Sequence, residues 1–197
     1  MIKIQYLLSS LRARGLKGTL RESFLTFIWV NHFLVFYKKL QGSPKNIQKP
    51  ENVLFRAVTL QELEKLRSNL KLPVEFYCDK SHGFKTPFLA FVNNEVAAIH
   101  WVVKKGEYSR FLNLNEHDLE LNYNTVISQY RGFRLAEMLM STIIESYSNS
   151  AYKRIFGVVN AENIAQYKPM LRIGFEPVEV LTHFGTHRPK ATLRYLK

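Results

Sequence analysis

The chain has 197 residues, 46% hydrophobic and 13% aromatic, which excludes a disordered chain and is enough for one domain with a full core. A single cysteine, Cys78, excludes an intramolecular disulfide and fits a reducing, cytoplasmic setting, with Cys78 itself as a small apolar filler. The net charge is +12, and the first fifty residues carry nine Lys and Arg against one acid, Glu22, an asymmetry that favours an anionic partner.

Residues 1–46 differ from the remainder. Leu7, Leu8, Leu11, Leu16 and Leu20 interleave with Arg12, Arg14, Lys17 and Arg21, the pattern of short basic amphipathic helices broken near Gly15 and Gly18. Phe24–Tyr37 is apolar and aromatic but spans only 14 residues, short of the roughly 20 that cross a bilayer. Two readings stand: an extra helix and strand packed on the main domain, or peripheral contact of residues 1–46 with an anionic membrane, since basic residues beside Phe and Trp mark interfacial helices. Gly42, Ser43, Pro44 and Pro50 suit a linker. The expected division is therefore an N-terminal extension, 1–46, and a main domain, 52–197.

In the main domain, Val53–Val58 reads as a strand. Thr59 and Glu62 form a capping box for a helix with Leu60, Leu63, Leu66 and Leu70 on one face, ending before Pro73. Phe88–Phe91 and Val96–Val103 flank Asn93-Asn94, residues that tolerate the left-handed backbone of a tight hairpin turn. Tyr108–Glu116 is a strand start or loop. Leu119–Ile127 is a strand that runs through Gln129, Tyr130, Arg131 and Gly132 into an amphipathic helix bearing Leu135, Met138, Leu139, Thr142, Ile143 and Tyr147. A Gly-containing basic turn at a helix N-terminus suits phosphate, because several N–H groups converge there and the helix dipole adds positive charge. Ile155–Val159 reads as a buried strand, Asn160–Ile173 as a helix stopped by Gly174, and Phe175–Phe184 and Ala191–Leu196 as late strands. The sum is a mixed α/β sheet with helices on its faces.

Gln129-Tyr130-Arg131-Gly132-Phe133-Arg134, followed about 30 residues later by a helix with Asn163 and Ala165 and the terminal pair Gly174-Phe175, resembles the GNAT superfamily of acyl-CoA-dependent acyltransferases over residues 52–197. The family turn is Gln/Arg-x-x-Gly-x-Gly/Ala, so Gln129 and Gly132 match and Arg134 departs. The resemblance implies an α+β fold with a mostly antiparallel sheet of six or seven strands. It implies acetyl-CoA or another acyl-CoA as cosubstrate, with no metal. The pyrophosphate is then held by residues 131–136 (Arg131, Gly132, Phe133, Arg134, Leu135 and Ala136), with Gln129, Tyr130 and Asn163 at the same site. The pantetheine lies along a splayed strand edge at Thr125, Val126 and Ile127, and an oxyanion donor sits near Val126 or Ile127. Several family members place a general base where Glu120 stands; Asp118 and Tyr123 are further candidates. Many members carry a Tyr seven residues after the helix Asn to protonate the leaving thiolate. Here that position is Met170, which has no proton to give, and Tyr167 lies one turn earlier beside Pro169. Arg134 is expected either to pair with a phosphate of the cosubstrate or to lie outward.

The expected activity is transfer of an acyl group, acetyl first, to the primary amine of a small molecule; a basic protein suits an anionic acceptor such as an amino sugar or amino acid. Two alternatives remain: a non-catalytic acyl-CoA-binding or membrane-associated adaptor, and a protein acetyltransferase. Nucleic acid is not favoured, because no recognition helix or aromatic RNA motif stands out. His183 and His187 have the spacing of a helical metal site, but their segment reads as strand and turn.

Overall fold

The structure, a computed structural model, describes residues 30–40, 47–184 and 189–192. The expectations for residues 1–29 and 41–46, including membrane contact, and for most of the late strand at 191–196, lie outside the described residues. Among the described residues no helix is long and apolar enough to cross a membrane.

The chain runs β1 (Val30–Lys39), β2 (Val53–Ala57), α1 (Leu60–Asn69), a 3-10 turn (Val74–Tyr77), α2 (Cys78–His82), β3 (Thr86–Val92), β4 (Glu95–Val103), β5 (Asp118–Val126), α3 (Leu135–Tyr147), β6 (Arg154–Asn160), α4 (Ile164–Arg172) and β7 (Glu176–Phe184). The strands form one seven-stranded sheet in the order β2-β3-β4-β5-β6-β1-β7. Only the central β5–β6 pair is parallel, joined by the crossover through α3.

Local chemistry sets the elements as expected. Thr59 caps α1 by accepting the Glu62 N–H at 3.1 Å. Asn93 and Asn94 take φ of 49° and 66°, turning the β3–β4 hairpin. Gly174, at φ 86°, ends α4. The turn and short helix between Val74 and His82 were not anticipated. They are pinned by buried Arg67, whose Nε donates to Phe76 O at 2.8 Å and whose guanidinium pairs with Asp79.

The expected boundary at 46–52 cuts across the sheet. β1, drawn from the N-terminal extension, is an inner strand bonded to β6 on one side and β7 on the other. Its Val35 and Phe36 are buried on opposite faces, so its apolar run has the character of a strand covered on both sides.

α3 and α4 cover one face around Leu119, Leu121, Leu139, Ile155 and Met170. On the other face α1 and α2 pack over β2–β4 with Trp101 and Phe84. The loop between β4 and β5, with residues 189–192, covers Val35, Phe156 and Leu181.

Candidate functional site

β5 and β6 pair only from Asp118↔Arg154 to Leu121↔Gly157. Past that point each stays bonded to its other neighbour, β5 to β4 as far as Val126 and β6 to β1 as far as Asn160. The two strands therefore part, leaving a wedge between 122–126 and 158–160 in the middle of the sheet. On the β4 side, β5 carries a bulge: Ile99 faces Thr125 and Trp101 faces Asn122, so Tyr123 and Asn124 together oppose His100. Tyr123 sits at φ 43°, a conformation uncommon for an aromatic residue.

The expected anion turn lies at the open end of the wedge. The N–H groups from Gly132 to Glu137 find no acceptor among the described residues, whereas the next, of Met138, bonds Arg134 O at 3.1 Å. Gly132 takes φ 89°, and Arg134 caps α3 at φ 56°. That left-handed position explains why glycine suits the last slot of the turn and marks Arg134 as a strained substitute.

A cavity of about 520 Å³ joins this turn to the wedge and is flanked by α4. Thr125, Val126, Tyr130, Arg131, Gly132, Arg134, Leu135 and Ala136, eight of the residues expected at a cosubstrate site, line it. Ile127, Gln129, Phe133 and Asn163 do not: the Ile127 side chain packs with the α1–α2 cluster, Gln129 and Asn163 are exposed, and Phe133 is 66% exposed. The Ile127 N–H is also committed, to Ala97 O at 2.8 Å. Alternation along the strand turns the Val126 N–H the other way, into the wedge.

Glu137 and Arg172 are among the lining residues without a signal in the sequence. The Glu137 side chain is buried and joins the first turn of α3 to α4: Arg172 Nε donates to its Oε2 at 2.8 Å, and Arg134 pairs with it from the cap. Burial pushes the Glu137 carboxyl up, but the two guanidinium groups outweigh it and hold the group below its usual range. Arg134 thus lies largely outward and is tied to Glu137.

Glu120 is on the paired stem of β5, on the sheet face opposite Leu121 and α3, and is 1% exposed. Its strand neighbours are Val103 and Phe156. Burial raises its carboxyl pKa to about 7, against opposing pulls from the Ser109 hydroxyl and Lys190. Oε1 accepts from Asn122 Nδ2 at 3.3 Å, and Oε2 has no hydrogen-bond partner. Asp118 is a structural group instead: fully buried, it takes two bonds from Arg154, at 2.7 and 3.0 Å, and the Asn115 N–H. Tyr123 projects beside Glu120's face and stacks on His82, with ring centroids 4.8 Å apart; burial pushes its phenol up.

Met170 is buried, and its thioether lies against Gly157, where a Cβ would come within 2.4 Å of Met170 Cε. Gly157 is the last β6 residue paired with β5, so Met170 fills the apex of the wedge. Tyr167 points elsewhere, stacking on Phe36. Helix α4 keeps Pro169 inside it without rearranging to bring Tyr167 to the apex. His183 is on β7, not a helix, and no group of three or more His, Cys, Asp or Glu suited to a metal ion occurs among the described residues.

The parted parallel pair, the bulged strand and the amide-rich turn together define the class: the chain has the fold of the GNAT, or GCN5-related N-acetyltransferase, superfamily. It is similar to a GCN5-related N-acetyltransferase from Sphaerobacter thermophilus (TM-score 0.58, 13% identity, 86% of this chain and 56% of that one). It is also similar to one from Kribbella flavida (0.55, 12%, 91% and 66%), and to a tandem GNAT protein of the clavulanic acid biosynthesis pathway (0.57, 14%, 82% and 56%). The chain thus spans less than two thirds of the length of each. No family model matches the sequence, and no curated protein does.

Proposed function

We propose that the protein is an N-acyltransferase that moves an acyl group, acetyl first, from acyl-CoA to the primary amine of a small, anionic molecule such as an amino sugar or amino acid. One observation carries this reading: the turn whose N–H groups at 132–137 are unbonded borders a cavity that runs into the parting of β5 and β6. The turn suits a pyrophosphate, and the unpaired edge of β5 suits the amides of a pantetheine arm. The cavity lies on the α3–α4 side of the sheet and Glu120 on the other.

In this reading the neutral amine attacks the thioester carbon. The Val126 N–H stabilises the oxyanion, the C–S bond breaks, and Glu120 takes the proton of the new ammonium. A carboxyl near 7 is matched to that task at neutral pH. Met170 supplies no proton, and a thiolate with a solution pKa of about 8.5 leaves unassisted and is protonated by solvent. The overall charge of +12 and the position of Lys190 support an anionic acceptor.

Calorimetry with CoA and acetyl-CoA, followed by CoA release against a panel of amines, amino sugars and amino acids, tests the reading. Micromolar binding of CoA and release that depends on an amine are expected. Absence of CoA binding sinks it. Binding without turnover on any amine leaves the second reading, a non-catalytic acyl-CoA-binding protein, which Met170 at the apex favours.

A further inference from the structure

Asn122 was not among the residues the sequence singled out. It stands two places after Glu120 on β5, so both side chains leave the same face of the strand. It is also the last residue before the bulge. Its Oδ1 accepts the Tyr123 backbone N–H at 3.1 Å, and its Nδ2 donates to Glu120 Oε1 at 3.3 Å. These two bonds fix the amide's orientation chemically. A backbone N–H only donates, so the amide oxygen must face Tyr123 and the NH2 must face the carboxylate.

The consequence falls on Glu120. One oxygen is held and the other, Oε2, is buried and unpartnered. A carboxylate clamped this way cannot swap its two oxygens without breaking the bond to Asn122. We propose that Asn122 is a positioning residue, tying the Glu120 carboxylate to the Tyr123 bulge so that its orientation is fixed when it takes the proton. This rests on Glu120 being the base of the proposed reaction. It also gives the left-handed Tyr123 a purpose: the bulge turns that N–H out of the β4–β5 ladder and toward the side chain before it. Other groups face the same carboxylate. Ser109 comes from the β4–β5 loop, Lys190 from the segment after β7, and Tyr123, itself beside Arg110 and Tyr108, from β5.

The test follows the Glu120 carboxyl carbon by NMR in protein labelled at glutamate, its signal identified by its loss in Glu120→Gln. Asn122→Ala removes the donor to Oε1, which favours the protonated carboxyl. Asn122→Asp keeps an acceptor for the Tyr123 N–H but sets a second carboxylate against Glu120, so the pair's upper titration step rises by about one pH unit or more. Asn122→Ala shifts the same way by less. The acid limb of kcat/KM, read with any amine that turns over, moves with the NMR midpoint in both variants. A purely structural asparagine lowers activity evenly across pH and leaves the limb in place. An unmoved Glu120 midpoint overturns the proposal directly. A midpoint that moves while the limb stays overturns it through its premise, because Glu120 is then not the base.

Discussion

Removing the buried carboxylate tests the site without any substrate. In Glu120→Gln the side chain keeps its shape and loses its charge. The wild-type carboxyl titrates near 7 in the folded protein and near 4.5 otherwise, because burial beside Val103 and Phe156 disfavours the ion. Its folded pKa is raised, so between pH 4.5 and about 7 the folded state binds more protons than the unfolded state. Stability then falls as pH rises through that window. At about 1.4 kcal/mol per pKa unit the full loss is about 3 kcal/mol. Glu120→Gln escapes it. Urea unfolding at pH 5 and pH 8 should show the variant gaining about 2–3 kcal/mol on the wild type between the two. His100, buried and pushed down to about 3, contributes in the opposite sense, with stability lost as pH falls from 6.5. It sits on the other sheet face and cancels in the difference between the two proteins. A variant no more stable relative to wild type at pH 8 than at pH 5 refutes the claim that Glu120 is held as a costly buried acid.

Four further outcomes are expected. Gly157→Ala drives a methyl into the Met170 thioether and costs about 1–3 kcal/mol; in a double-mutant cycle Met170→Ala recovers part of that loss, and simple additivity by thermal unfolding contradicts the contact. Gly132→Ala meets nothing within 4 Å, so its cost is the φ of 89°, about 1–2 kcal/mol; calorimetry should show CoA affinity falling by more than stability does, and an unchanged affinity removes the turn from the binding site. Asn94→Gly, at φ 66° in the β3–β4 hairpin, should raise stability by up to about 1 kcal/mol in urea unfolding, and a loss disproves the turn geometry. In the proposed reaction kcat/KM rises with pH through about 7 and Glu120→Gln flattens that limb; a variant with wild-type turnover excludes Glu120 as base.

Residues whose signal is local were legible. The Thr59 cap, the Asn93-Asn94 turn, the Gly174 stop and the turn into α3 follow from neighbours in sequence, and each stands where the pattern placed it. What the sequence hid depends on distant pairing. Val30–Lys39 has the apolar run of a strand, but nothing in it says that the strand lies between β6 and β7, more than a hundred residues away. Arg172 meets Glu137 across 35 positions, and no periodicity announces that pair. Asp118 and Glu120 look alike as acids on one strand. Arg154, brought alongside by the parallel pairing, turns the first into a structural ion, while apolar neighbours leave the second without a cation at hydrogen-bond distance.

The same contrast explains why β5 is where the chain tolerates its least favourable features. Within nine residues it holds a buried carboxyl with an unbonded oxygen, a left-handed tyrosine and a length of edge that pairs on one side only. Each costs stability, and a strand built for stability alone would continue its ladder with β6 and place an apolar residue at 120. The clusters on both faces, from Leu119 and Ile155 to Trp101 and Phe156, fix the strand so firmly that it cannot relax these defects. Met170 adds to that rigidity by filling the apex through its fit to Gly157, so the wedge stays open beyond it and closed behind it. Removing the side chain by Met170→Ala therefore bears on binding as well as packing. It should lower stability by about 2–5 kcal/mol and loosen the apex, and CoA affinity measured by calorimetry should fall with it. An unchanged affinity in a destabilised variant shows that the wedge is held open by β4 and β1 alone.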